Sequence, residues 1–325
     1  MTVFIIRRIM QSLVVVLVMS FIVFGGVNIV GDPVEMMVSD EATQEEREKV
    51  IRSMGLDKPW YVQYGRFVAG ALEGNLGKSF VYGEPALEII IHRIPATFEL
   101  ALAALLLAVV IGIPLGVYAG LKPDTVASKS IMAGSILGFS LPTFWVGLMF
   151  IMVFAVILGW LPSTGRGDTV PLLGIDVSFL TLDGLAHLFL PALNLALFKI
   201  SLVIRLARAG TREVVHQDYI KFARAKGLRN SRIVLVHLMK NIMIPVVTVL
   251  GLEFGGLIAF SVVTETVFAW PGMGKLIIDS IQSLDRPVIV AYLMIIVLIF
   301  VIINLVVDVL YSILDPRVRL SEIKS

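Results

Sequence analysis

Apolar residues fall into six long blocks along this chain, about Ile9 to Val30, Thr97 to Leu121, Ile131 to Leu161, His187 to Leu206, Ile242 to Thr264 and Val288 to Leu314. Each is long enough to cross a hydrocarbon layer about 30 Å thick, which takes a helix of roughly 20 residues. The pattern predicts six membrane spans. Gly31-Asp32-Pro33 closes the first block, which is too long for the apolar core of a signal peptide, about 7–15 residues, and has no A-x-A site behind it. It is expected to stay as an uncleaved first span. The third block exceeds what a bilayer requires, and Gly138, Pro142 and Gly147 predict that it kinks or re-enters.

The polar stretches between blocks carry their own order. Thr43 and Glu46 have capping-box spacing, which predicts a helix over Glu45–Met54 that Gly55 and Pro59 stop. Trp60, Tyr64, Phe67, Val68 and Leu72 recur at helical period and predict a second, amphipathic helix, with a turn from Gly74 to Ser79. The triplet Gly77-Lys78-Ser79 is no phosphate loop, because Leu72 stands where the glycine five positions earlier is required. Between the fourth and fifth blocks, Arg205 to Pro245 holds nine Lys and Arg against Glu213 and Asp218. Asp218 to Lys226 reads as a short helix with Tyr219, Phe222 and Ala223 on one face, stopped by Gly227, and Asn230 or Ser231 caps a following helix. Such a segment must lie in water.

Composition agrees with the pattern: 57% of the 325 residues are hydrophobic, only 16% are charged, and the mean hydropathy is +0.91. This excludes an ordinary soluble domain, which is about 45–50% apolar. The net charge of +2 is too small to argue for nucleic acid. A DNA-reading helix-turn-helix is further excluded by tethering between two spans without a dimer module. Without cysteine there is no disulfide, thiolate metal site or thiol nucleophile, and His92, His187, His216 and His237 make no metal-ligand spacing. Loop Lys and Arg set orientation. The basic hairpin and the tail, with Arg317, Arg319 and Lys324, belong in the cytoplasm. Residues 34–94, where acids outnumber bases, and 162–186, with Arg166 alone, belong outside. The expected fold class is an all-α membrane protein of six transmembrane helices, both termini in the cytoplasm, with a small helical extracytoplasmic segment after the first.

The residues also resemble a known family. Tyr219-Ile220-Lys221-Phe222-Ala223-Arg224-Ala225-Lys226-Gly227-Leu228 is similar to the EAA loop of permease subunits in ATP-binding-cassette importers for dipeptides and oligopeptides, the peptide/nickel branch of the type I importer fold. Supporting pieces are Gly55 to Pro59, Gly74 to Ser79, Arg93 to Thr97, Gly138 to Gly147, Phe268 to Gly274 and Asp315-Pro316-Arg317, so the likeness covers nearly the whole chain. It departs from the general pattern at Lys221, where Glu is usual, at Phe222, and at Met239-Lys240 in place of Leu-Pro.

The resemblance implies a coupling helix that docks on a cytoplasmic ATPase through Tyr219, Phe222, Ala223, Arg224, Lys226 and Gly227, within a coupling loop spanning 207–241. It implies a second homologous permease forming a heterodimer, two ATP-binding-cassette ATPases, an extracytoplasmic substrate-binding protein, and alternating access in a bacterial or archaeal plasma membrane, with lipid around the spans. The chain has no Walker motif, so ATP and Mg²⁺ are expected on the partner ATPases and no cofactor or metal on this chain. The implied division is residues 1–30 as first helix, 31–94 outside, 95–314 as permease core and 315–325 as cytoplasmic tail. Import of small peptides is the preferred function. Import of nickel chelates or other small solutes is the alternative within the family, and a passive channel or membrane scaffold the alternative outside it.

Three polar sites in or beside the spans have competing readings. Glu253 either faces the translocation path or pairs with Lys199, since a carboxylate in mid-span must be paired or hydrated. Asn304, Asp308 and Tyr311 share a helix face and read mainly as interhelical packing, as does Glu99. Trp270, Pro271 and Gly272 either contact the binding protein or form a tight turn on the outer vestibule.

Overall fold

The computed structural model describes residues 2–29, 43–54 and 57–314. The boundaries assigned to Gly31-Asp32-Pro33 and Gly55, and the tail from Asp315, lie outside them. The chain divides into two compact units, Met1–Ile94 with Leu276–Leu305, and Pro95–Lys275 with Val306–Ser325.

In the first unit, α1 (Thr2–Ile29) carries an apolar span from Ile6 to Gly26. Helix α2 (Gln44–Met54) begins with the predicted capping box: Thr43 N donates to Glu46 Oε2 at 3.0 Å, and Glu46 N to Thr43 Oγ1 at 3.4 Å. Helix α3 (Trp60–Leu72) lays its aromatic face on α1. The following turn is tied down by buried Asp285, which accepts from Ser79 Oγ and from Phe80 N at 3.2 Å. Gly77, at φ +96°, has only 3.2 Å between the site of a Cβ and Pro287, so both space and conformation require glycine.

Helix α4 (Ala86–Leu121) begins eleven residues before the expected second span. Pro95 and Pro114 both lie inside the helix. A long apolar helix tolerates the freed carbonyls when neighbours re-satisfy them.

In the second unit, the part of α4 after Pro95 meets α7 (Leu182–Val214) along Gly112, Gly116 and Gly120. A Cβ at Gly116 would stand 2.6 Å from both Ala207 Cβ and Ile204 O. Three glycines four residues apart thus let two backbones touch across Val203, Ala207 and Thr211. In the fifth block Gly251, Gly255 and Gly256 also form a small-residue set. A Cβ at Gly251 would stand 3.3 Å from Val307, whereas one at Gly256 would meet nothing within 4 Å.

The expected kink is a break. Helix α5 (Val126–Ser140) and α6 (Thr143–Phe150, continued π-helically over Ile151–Ile157) meet at 107° across Leu141-Pro142. Proline there lacks the N–H an unbroken helix would need. Five helices among the described residues are long and apolar enough to cross a membrane, and the bent pair makes six if it counts as one span. The fold is helical as expected, with one small addition: Val170–Leu172 (β1) and Ile175–Val177 (β2) form an antiparallel hairpin, turned by Leu173 and Gly174 at φ +53° and +82°.

Helix α7 is the hub of this unit, packing on α5, α6 and α9 (Asn230–Val267). Between α7 and α9 lies α8 (Asp218–Ala225). Helix α9 opens with one α-turn, passes through a π-helical stretch at Ile233–Leu238, and continues as α-helix. Its N-cap is Arg229, with no side-chain bond, so neither Asn230 nor Ser231 caps it as expected. A helix missed by the pattern, α10 (Met273–Gln282), follows the Trp270-Pro271-Gly272 turn and precedes α11 (Arg286–Leu314).

Candidate coupling site

Helix α8 has eight residues, as the sequence predicted to within one position, and its end explains its shape. Lys226 is the C-cap and Gly227 takes φ +71°. This lets Leu228 N reach Ala223 O at 3.3 Å and Gly227 N reach Arg224 O at 2.9 Å, the paired bonds of a Schellman motif. The accompanying apolar contact is present too. Ile220, Ala223 and Ile233 form a small buried cluster onto which Leu228 and Val214 pack.

That cluster corrects the face assigned to Ala223. It is 6% exposed and points into the loop's own core with Ile220, while Tyr219 and Phe222, one turn apart, stand 43% and 61% exposed on the other side. The two rings are held rather than loose. Asn241 Nδ2 donates to Tyr219 Oη at 2.8 Å, and Lys226 Nζ lies 4.6 Å from the Phe222 ring centroid. Arg224 and Lys226 are exposed beside them. Asp218, in the first turn, accepts from Lys221 Nζ at 2.9 Å, and this bond holds its carboxyl below the usual carboxylate range. Partial burial pushes the Tyr219 phenol up. The result is a small apolar knob ringed by cations on a rigid two-helix base. This suits docking against an apolar groove with an acidic rim.

Within the spans, Lys199 of α7 donates to Glu253 Oε2 of α9, so the pairing alternative is present. The sharing is uneven, with the Lys199 side chain 8% exposed and that of Glu253 38%. Asn304 Nδ2 turns back to Phe300 O at 2.8 Å on its own helix. The Tyr311 side chain lies outside the described residues, and Asp308 is half-buried on α11.

Trp270 cannot present a docking surface. It is fully buried, its indole donates to Ala96 O at 2.9 Å, and the Arg166 guanidinium lies 5.8 Å from its ring. Beside it is a residue that the sequence reading missed. Glu265 is completely buried and accepts from Thr97 Oγ1 (2.7 Å), Ser261 Oγ (2.8 Å) and Lys275 N (3.0 Å). A Cβ at Gly272 would strike this carboxylate at 2.4 Å, so the glycine is needed for the turn to close on it. Pro271 is half-buried in the same turn. The signal was available in sequence, as an acid at the end of an apolar block just ahead of Phe268-Ala269-Trp270-Pro271-Gly272.

Glu99 organises the loop that precedes α7. It accepts from Arg166 Nη2 (2.6 Å) and Nε (3.1 Å), from Ser178 N and Oγ (2.7 and 2.8 Å), and from Phe179 N (2.9 Å). Among the described residues, no cluster of three or more His, Cys, Asp or Glu is arranged to hold a metal ion.

Comparison with known proteins agrees with this geometry. Residues 112–320 match the model of the family described as binding-protein-dependent transport system inner membrane component, and residues 1–101 match that of its N-terminal region. The di/tripeptide transport system permease protein DppB of Pseudomonas aeruginosa (strain UCBPP-PA14) is 39% identical, covering 89% of this chain and 90% of that protein. The dipeptide transport system permease protein DppB of Escherichia coli (strain K12) is 36% identical, covering 97% and 98%. The oligopeptide transport system permease protein AppB of Bacillus subtilis (strain 168) is 38% identical, covering 98% and 100%. Among solved structures, the MetNI methionine ABC transporter in an inward-facing conformation shares the fold at 17% identity and TM-score 0.55, covering 70% of this chain and 97% of that chain. By length of match, identity and fold alike, this chain belongs to the family of binding-protein-dependent transport system inner membrane components.

Proposed function

We propose that this chain is the permease subunit of an ATP-driven importer of di- or oligopeptides, and that α8 is the element through which two partner ATPases move it. The observation that carries the proposal is the aromatic knob: Tyr219 and Phe222 stand exposed on a helix whose end, base and charge are all fixed by the surrounding loop. A passive channel or scaffold needs no such element. The names of the most similar relatives support a peptide as cargo.

In this reading a second, homologous permease completes the pathway and an extracytoplasmic binding protein delivers the solute. ATP and Mg²⁺ sit on the ATPases, and this chain binds no cofactor. Closure of the ATPases on ATP displaces α8. Because α8 lies between α7 and α9 and shares a core with Ile233 of α9, the displacement passes into two spans at once. Hydrolysis resets them. Arg224 and Lys226 steer the docking, and the two rings supply the buried contact.

Tyr219→Ala and Phe222→Ala remove the knob without touching Ile220 or Ala223. The assembled transporter in proteoliposomes should keep its fold and lose substrate-stimulated ATPase activity and uptake together. Unchanged coupling in both variants would overturn the proposal.

Glu253 belongs to the same reading as a residue of the pathway. Its open side cannot face acyl chains without a large desolvation penalty, so it faces water or a polar partner. Glu253→Gln should change uptake most for substrates carrying an extra positive charge, and equal change across charge classes would remove it from the pathway.

A further inference from the structure

We infer that α3 is not an aqueous connector but an interfacial helix lying in the leaflet at the C-terminal end of α1, with Trp60 and Tyr61 in direct contact with lipid. The depth follows from the rings that α3 places against α1. The apolar span of α1 runs from Ile6 to Gly26, 21 residues, which at about 1.5 Å per residue matches a hydrocarbon layer of roughly 30 Å. Phe21, five residues short of Gly26, therefore lies about 7 Å inside that layer, Ser20 about 9 Å and Phe24 about 3 Å.

Helix α3 meets α1 at these levels. Trp60 and Tyr64 stand edge-on to Phe21 with centroids 6.0 and 5.6 Å apart, and Tyr64 and Phe67 contact Phe24 at 5.5 and 5.7 Å. The Tyr64 hydroxyl shares a 2.8 Å hydrogen bond with Ser20 Oγ. From Trp60 to Phe67 α3 advances about 10 Å, while its partners on α1 climb from Phe21 to Phe24, about 4.5 Å. The helix is therefore inclined closer to the bilayer plane than to the span. By that slope it stays at or below the level of Gly26 along its whole length.

What α3 leaves uncovered fits that depth. Trp60, Tyr61 and Leu72 are 62%, 61% and 85% exposed, and Tyr61 and Leu72 share one face, eleven residues apart at 100° each. Arg66, about 140° round the helix from Tyr61, and the C-cap Glu73 lie away from that face, the division expected of a helix sunk about 5–10 Å into the boundary between headgroups and acyl chains. Trp and Tyr favour that boundary because each has an apolar body and a polar tip. At the deep end Pro59 has no N–H to satisfy, Val62 N donates to Pro59 O at 2.9 Å, and Gln63 Nε2 donates to Lys58 O at 2.8 Å. The Lys58 ammonium, paired with Asp57 at 3.1 Å, has a stem long enough to reach the headgroups.

The chain contains no cysteine, so single-cysteine variants report one position each. Tyr61→Cys, Leu72→Cys and Arg66→Cys would be spin-labelled in the full-length chain, assembled with its partner subunits in phosphatidylethanolamine/phosphatidylglycerol bilayers. Collision rates with oxygen and with a water-soluble nickel chelate are then compared. The expected result is an oxygen-to-nickel ratio several-fold higher at Tyr61→Cys than at Arg66→Cys, with Leu72→Cys between them. A nickel-favoured ratio at Tyr61→Cys equal to that at Arg66→Cys would place α3 in water and overturn the inference. Exclusion of both reagents at Tyr61→Cys would show a protein surface covering the helix and would overturn it equally.

Discussion

Replacing Gly227 by alanine isolates one term in the coupling site. Nothing lies within 4 Å of the position a Cβ would take, so the substitution meets no steric obstacle, and its whole effect comes from φ +71°. Holding an L-residue in the left-handed region costs roughly 1–2 kcal/mol. The closed cap, with its Leu228 N to Ala223 O bond, is then about 5–30-fold less favoured against frayed alternatives. Asparagine enters that region far more readily than alanine, so Gly227→Asn should restore most of the loss. The assay is the number of solute molecules imported per ATP hydrolysed, with the transporter reconstituted in proteoliposomes. A lowered ratio for Gly227→Ala and partial recovery for Gly227→Asn are expected, with assembly intact in both. A wild-type ratio in Gly227→Ala would refute the reasoning, since the cap would then be irrelevant to transmission.

Two further substitutions probe the scaffold. Gly116→Ala brings a methyl to 2.6 Å from Ala207 Cβ, where about 3.5 Å is needed, so α4 and α7 must part by roughly 1 Å at a cost of about 1–3 kcal/mol. The thermal midpoint in detergent should fall, and Ala207→Gly should relieve it only in part because Ile204 O stands equally close. Glu99→Ala strands the Arg166 guanidinium and the Ser178 and Phe179 amides, a loss of about 3–5 kcal/mol, so limited proteolysis within residues 162–181 should accelerate several-fold.

What could be read in advance was whatever depends on local chain chemistry. The apolar blocks, the Thr43–Glu46 box, the aromatic period of α3 and the Gly227 stop each rest on neighbours within a turn or two, and each is present. What escaped depends on residues distant in sequence. Ala223 shares an arc of α8 with Tyr219, but Ile233 and Leu228 decide which side of that arc is buried. Gly112, Gly116 and Gly120 looked like ordinary glycines of an apolar run until Val203, Ala207 and Thr211 lay across them. Glu265 is meaningful only because Thr97, some 170 positions away, donates to it. Helix α10 was hidden by the two glycines around Met273, which read as loop. The second block reads as starting at about Thr97 because only tertiary context shows that its helix runs back through Pro95 to Ala86.

The π-helical stretch at Ile233–Leu238 has a consequence for chain length. A π-turn holds one residue more than the α-turn it replaces, so α9 carries a surplus residue that folding has absorbed. Deleting one residue there would regularise the hydrogen-bond ladder and leave all that follows facing as before, because the π-turn takes up its extra residue within about the same rotation as an α-turn. The direction in which Tyr219 and Phe222 look is thus insulated from a change of one residue in the next helix. In aligning this chain with relatives, a single gap over Ile233–Leu238 is compatible with an unchanged placement of the two rings.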